Sequence, residues 1–194
     1  MIILDLCSGT GSWSRPYKKN GHDVVRVDIK NGDDVRLFKK PDYNVSGVLA
    51  APPCTHLASS GARWWEDKGE EALLQALSIV DACLRIIKVS RPAFWALENP
   101  VGRLVHYLGR PKMYFHPYEY GDPWTKKTCL WGEFNIPEKN PVEPVEGSKM
   151  HKLPPGPDRK KIRSKTPEGF ARAFYQANNI EIGYKEKSKK EVQE

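Results

Sequence analysis

The chain lacks several things, and each absence narrows its class. No apolar run approaches the ~20 residues that a membrane-spanning helix needs, so no membrane partner is expected. Met1 leads straight into Ile2-Ile3-Leu4-Asp5, too short and too soon charged for a secretory leader. Cysteine is sparse: Cys7, Cys54, Cys83 and Cys129 stand far apart, without the paired spacing of a zinc site, and no metal is expected. Four scattered thiols suit a reducing cytoplasm. There is no Gly-x-x-x-x-Gly-Lys phosphate loop, which argues against ATP hydrolysis, and there is no internal repeat.

What is present is the composition of a folded domain. The 194 residues are 39% hydrophobic and include six Trp and eight Tyr, enough for one unit with a proper core. The net charge of +7 suits a polyanionic partner, and it is uneven: residues 148–194 hold twelve Lys/Arg against six Asp/Glu. A solvated surface ending in a basic tail would give the same count. The expected organisation is a single domain over 1–184 and a disordered basic tail over 185–194.

Along the chain, residues 2–6 are apolar enough for a strand buried on both faces. Ser8-Gly9-Thr10-Gly11-Ser12 is a tight glycine turn, Trp13 to Lys19 a short helix with Pro16 in its first turn, and 23–28 a second strand. That order is a βαβ unit with a parallel sheet. Gly47 to Ala51 reads as a buried strand stopped by Pro52-Pro53, neither of which can donate to a sheet ladder. Residues 69–89 form a helix whose Leu73, Leu77, Val80, Leu84 and Ile87 make an apolar stripe, with Cys83 beside it. A strand over 93–99, two further strands at 113–116 and 128–131, an irregular loop over 135–161 and a last helix capped at Thr166-Pro167-Glu168 complete the reading.

Chemistry gathers at strand ends. Cys54 follows the strand stop, at the edge where open α/β sheets bind ligands, beneath a flexible loop around Ser59, Ser60 and Gly61. A lone cysteine is more often a small buried hydrophobe than a catalyst. Glu98 ends another strand and would open into the same crevice; it could protonate a ring nitrogen while a thiolate attacks ring carbon, or cap a neighbouring helix. The glycine turn lets backbone N–H groups approach a nucleotide-type ligand, and Asp28 stands where a ribose diol is gripped, though a turn acid would look the same. Asp34 could face an adenine amino group.

In this order the motifs resemble the cytosine carbon-5 DNA methyltransferases, in a short phage-type form. Asp5-Leu6-Cys7-Ser8-Gly9-Thr10-Gly11-Ser12 is similar to their first motif, Pro52-Pro53-Cys54 to the nucleophile motif, and Glu98-Asn99 to the catalytic glutamate motif. Tyr120-Gly121-Asp122-Pro123 resembles the base-contacting motif, and Arg163-Ser164-Lys165-Thr166 with the last helix the final one. The resemblance runs over residues 1–178 and implies a Rossmann-like α/β fold with a minimal recognition appendage. It implies S-adenosylmethionine held by Asp5, Cys7, Ser8, Gly9, Thr10, Gly11, Asp28, Ile29, Asp34 and Pro53, catalysis by Cys54 and Glu98, and DNA contacts from Arg63 and Lys126. A monomer in the cytoplasm, the host's if the gene is a phage's, is expected.

The chain departs from the family pattern in four places. Trp124, Lys126 and Thr128 stand where a glutamine and two arginines are usual, Cys7 replaces a phenylalanine, and Thr55 replaces a common glutamine. The recognition region shrinks to residues 133–162. Single-stranded DNA or a free pyrimidine nucleotide is therefore a rival substrate, and a catalytically silent DNA-binding homologue a rival function.

Overall fold

The computed structural model describes residues 1–179; the expected tail over 185–194 and the end of the expected 1–184 unit lie outside them. Six strands form one sheet: β1 (Ile2–Leu6), β2 (Asp23–Val27), β3 (Gly47–Ala50), β4 (Phe94–Pro100), β5 (Met113–Phe115) and β6 (Thr128–Glu133). Six helices accompany them: α1 (Arg15–Lys19), α2 (Trp65–Ser90), α3 (Val105–Leu108), α4 (Lys149–Lys152), α5 (Arg159–Ser164) and α6 (Glu168–Asn178). The strand order is β2-β1-β3-β4-β6-β5. The first four strands are parallel, while β6 runs against both β4 and β5.

Alternation along the strands sorts the core into two layers. Leu4, Leu6, Val48 and Ala50 face α2, joined by Ala76, Val80, Cys83 and Ile86. Ile3, Leu49, Phe94 and Ala96 face α1 and α6, in a layer rich in rings: Trp13, Tyr17, Phe115, Phe170 and Phe174. Phe115 stacks on Phe170 at 3.8 Å between centroids. The sheet is thus covered on both faces, as its apolar strands require. The crossover through α1 leads outward from β1 to β2, and the one through α2 leads from β3 to β4 in the opposite direction. The strand order therefore reverses between β1 and β3, which opens a crevice at their carboxyl ends.

Several expectations change. Trp13 is not in α1 but fully packed under α6, because a ring at the helix entry gains more by joining the aromatic layer. Regular α2 geometry begins at the expected residue 69, where Gly69 (φ 69°, ψ 179°) joins it to an earlier turn from Trp65. Cys83, read as flanking the stripe, lies at its centre, while Leu73, Leu77 and Leu84 are only partly covered. The flexible loop at 59–61 is a 3-10 helix, Ser59–Trp64. The irregular 135–161 segment contains α4 and the start of α5. Thr166 does not cap α6: Pro167 holds the cap position, and the Gly169 N–H donates to Asp122 Oδ2 at 2.8 Å instead. The Thr166 N–H donates to Ser12 Oγ at 3.0 Å, tying the last helix to the glycine turn. No described helix is long and apolar enough to cross a membrane.

Candidate active site

Parallel pairing sets the site. Leu6 lies opposite Ala50 and Ala50 opposite Leu97, so the glycine turn, the Pro-Pro-Cys turn and Glu98 emerge side by side at one sheet edge. β6 is reversed, so it begins where the others end, with Thr128 opposite Pro100. Lys126 and Lys127 are delivered to the same edge.

The glycine turn is wound tightly over Arg26. Cys7 (φ 56°), Gly9 (φ 52°) and Gly11 (φ 65°) all take left-handed backbone, and a Cβ on Gly11 would press on the Arg26 guanidinium. Arg26 donates to Ser8 Oγ at 3.2 Å and to the Gly9 carbonyl at 2.9 Å. Asp5 is buried beneath the turn and accepts from the Ser14 hydroxyl at 2.5 Å. Burial pushes its carboxyl up to about 7, against the pull of Ser14 and Arg26. Asp28 accepts from the Gly9 N–H at 2.7 Å through one oxygen and from the Lys30 N–H at 3.0 Å through the other. Each oxygen keeps a lone pair. Next to it Ile29 is 71% exposed, an apolar surface with no cover among the described residues. Thr10 Oγ1 is engaged with Ser12 Oγ at 2.9 Å. A cavity of about 780 Å³ lies beside this turn, lined by Gly9, Thr10 and Lys30 on one side and by Lys161 and Ile162 of α5, with Lys165 just after it, on the other.

Asp34 is turned toward Arg36, with which it forms an ion pair at 2.6 Å. That guanidinium holds its carboxyl below the usual range. Cys7 packs into the α2 layer, against Cys83.

The second half of the site is built around Cys54. Its thiol is half-buried, and burial, with the Glu98 charge second, pushes it above the ordinary thiol range; Lys126 and Arg163 pull the other way. Burial likewise raises Glu98, against Lys126. Thiol, carboxyl and Lys126 thus act on one another, and the Arg163 charge acts on the thiol. Lys126 Nζ also donates to the Arg163 carbonyl at 3.2 Å, binding the end of α5 to this group. Asn99, fully buried, donates to the Pro52 carbonyl at 2.9 Å and so fixes the exposed Pro53 and the turn that carries Cys54.

The segment after Cys54 is docked on the segment after Glu98. Ala58 pairs with Gly102, the Arg103 N–H donates to the Leu57 carbonyl at 2.9 Å, and Arg103 Nε to the His56 carbonyl at 2.8 Å. Arg103 also lies 4.4 Å over Trp65. Arg63 stands apart: it is exposed, with its guanidinium 5.0 Å over the Trp64 ring and no partner at Cys54. Sequence reading gave no individual role to three residues. Arg26 was signalled only as a single charge inside an apolar strand, and Asn99 and Arg163 were named only as members of their motifs.

Chemically, one half of the site offers a thiol and a carboxyl that burial biases toward their protonated forms, and the other an open cavity beside the glycine turn. No family model matches the chain, and no curated protein matches it. Among solved structures, 62 chains match. One is a candidate DNA modification methyltransferase encoded within a prophage of E. coli, 18% identical, with a TM-score of 0.49 over 79% of this chain and 55% of that one. Another is DhpI in complex with SAM and HEP, 16% identical, with a TM-score of 0.29 over 75% of this chain and 65% of that one. The chain therefore spans less than two thirds of the length of either.

Proposed function

We propose that the chain is an S-adenosylmethionine-dependent methyltransferase acting on carbon-5 of cytosine in DNA, with Cys54 as nucleophile and Glu98 as proton donor. The observation that carries this reading is the meeting of Cys54 and Glu98 in one crevice, each felt by Lys126. An unactivated pyrimidine needs both groups at once.

The glycine-turn cavity fits the cofactor. Its ~780 Å³ lies in the range of small-molecule sites, Ile29 offers an apolar face to a base, and Asp28 keeps lone pairs for ribose hydroxyls. When bound, S-adenosylmethionine supplies an electrophilic methyl group for carbon-5. The target base leaves its stack, at a cost of a few kcal/mol. Cys54 Sγ forms a bond to carbon-6 as Glu98 gives its proton to ring nitrogen 3, which makes carbon-5 electron-rich. Loss of the carbon-5 proton to water then expels Sγ as thiolate, and nitrogen 3 returns its proton to Glu98, which restores the ring and the carboxyl.

A second reading, single-stranded DNA or a free pyrimidine nucleotide, is favoured by one observation. Residues 140–147 are spent on backbone hydrogen bonds to 118–125, including Val142 to Tyr118 at 2.8 Å and Glu146 to Pro123 at 2.9 Å. Little chain remains to read a duplex sequence.

The test is incubation with labelled S-adenosylmethionine and duplex DNA, single strands or dCMP, followed by nucleoside mass analysis. Label in 5-methylcytosine from duplex, lost in Cys54→Ala, supports the first reading. Label from single strands or dCMP alone moves the substrate to the second. Cofactor binding without label on any substrate leaves a silent DNA-binding homologue.

A further inference from the structure

We propose that Arg26, from β2, is a positioning residue for the cofactor: it locks the Gly9–Thr10 peptide in the orientation that offers the Thr10 N–H to the ligand. This rests on the reading of the glycine-turn cavity given above.

Arg26 and Asp28 stand two residues apart on extended backbone at the carboxyl end of β2, so their side chains leave on the same face. Both reach the same glycine. Asp28 Oδ2 accepts from the Gly9 N–H at 2.7 Å, and Arg26 Nη2 donates to the Gly9 carbonyl at 2.9 Å. Arg26 Nε donates to Ser8 Oγ at 3.2 Å. Gly9 is therefore held at both of its backbone polar groups. Its carbonyl shares a trans peptide with the Thr10 N–H, and in a trans peptide these two groups point in opposite directions. Arg26 takes the carbonyl, so the Thr10 N–H faces away from the guanidinium. That N–H has no hydrogen-bond partner among the described residues, whereas the Gly11 N–H beside it is spent on the Ser8 carbonyl at 2.7 Å. Gly9 and Thr10 both line the cavity.

The turn needs a lock because its peptides are free to flip. Gly9, at φ 52°, has open space around it and rotates at little steric cost. Cys7, at φ 56° without being glycine, adds strain that the surrounding contacts must hold. A flipped Gly9–Thr10 peptide would aim a carbonyl at the cavity and withdraw the free donor. A guanidinium suits the task, since its planar fork serves Ser8 and Gly9 together where an ammonium is a single point charge. Gly11 leaves room for that fork: a Cβ there would lie 2.8 Å from the guanidinium carbon.

The experiment measures S-adenosylmethionine binding to the full chain by titration calorimetry, beside Tm and DNA affinity. Arg26→Met keeps the apolar stem and removes the fork. Its cofactor affinity is expected to fall on the order of 10–100-fold, the scale for losing charge-assisted hydrogen bonds, while DNA affinity is unchanged. Arg26→Lys should recover little of the loss, and added guanidinium ion should restore part of it in Arg26→Met. In amide NMR spectra, the cofactor should shift the Thr10 resonance strongly in the wild type and weakly in Arg26→Met. Gly11→Ala should weaken binding more in the wild type than in Arg26→Met, because only the wild type has a guanidinium to displace. Wild-type affinity in Arg26→Met or Arg26→Lys, additive effects with Gly11→Ala, or a loss matched by falls in Tm and DNA affinity would each overturn the assignment while leaving the cofactor reading standing. A wild-type chain that binds no S-adenosylmethionine overturns both.

Discussion

At the scale of single residues, Cys54 and Glu98 are opposed titrating groups. Both are pushed toward their protonated forms by burial, and Lys126 relieves both. Once Glu98 is ionised, its charge disfavours the thiolate. Glu98→Gln should therefore speed iodoacetamide labelling of Cys54 at pH 9 while abolishing methyl transfer, and Lys126→Ala should slow it. A Cys54 profile unmoved by either change would break the pairing. Asp5 gives a prediction of stability. Its folded value of about 7 lies above that of an unfolded aspartate, so the protein gains most from it at acid pH. That contribution is present below about pH 4 and is lost as pH rises through 7, on the order of 4 kcal/mol for three units. Asp5→Asn should flatten the fall in Tm between pH 4.5 and 8 seen by calorimetry. Cys54, Glu98 and Asp28 were legible in the sequence because strand-stop chemistry announces them. Arg26 and Arg163 were not, since what they do depends on where long side chains land after folding.

At the scale of elements, the weight falls on the strap that joins the two catalytic turns. Gly102 lies against the Leu57 carbonyl, and a Cβ there would overlap that oxygen. Gly102→Ala should cost about 1–3 kcal/mol in urea unfolding, as overpacking does. It should also lower the rate of adduct formation, because the Cys54 turn loses its dock. The four parallel strands and their ends were readable, since prolines and Asn20-Gly21 punctuate them. The helix start at Thr166 misled because the cap comes from Asp122, 47 residues away, through a contact no local pattern encodes. α4 and α5 escaped notice because each is shorter than two turns and carries no apolar stripe of its own.

At the scale of the whole molecule, charge and chain path decide the partner. The net charge of +7 gathers toward the carboxyl-terminal quarter, which supplies α5 to the crevice. Binding to duplex should weaken steeply with salt, and Lys152→Ala should reduce the slope of log K against log salt by about 0.9 if that lysine neutralises a phosphate. An unchanged slope, read by fluorescence anisotropy from 50 to 200 mM salt, removes it from the interface. The sheet and its two coats followed from hydrophobic pattern. The return path of residues 140–147 did not, because the hydrogen bonds that hold it to 118–125 join backbone to backbone and leave no mark on side-chain type.

That return path has a consequence for how such a protein could acquire new specificity. β6 leaves its last residue at the far edge of the sheet, and the chain is bound down until it reaches α4. Between α4 and α5 lies Leu153-Pro154-Pro155-Gly156-Pro157, whose last four residues are exposed. An added domain spliced there would break no strand and no core contact. The molecule thus carries a point where a further module could be gained or lost while the strands that hold Cys54 and Glu98 stay as they are.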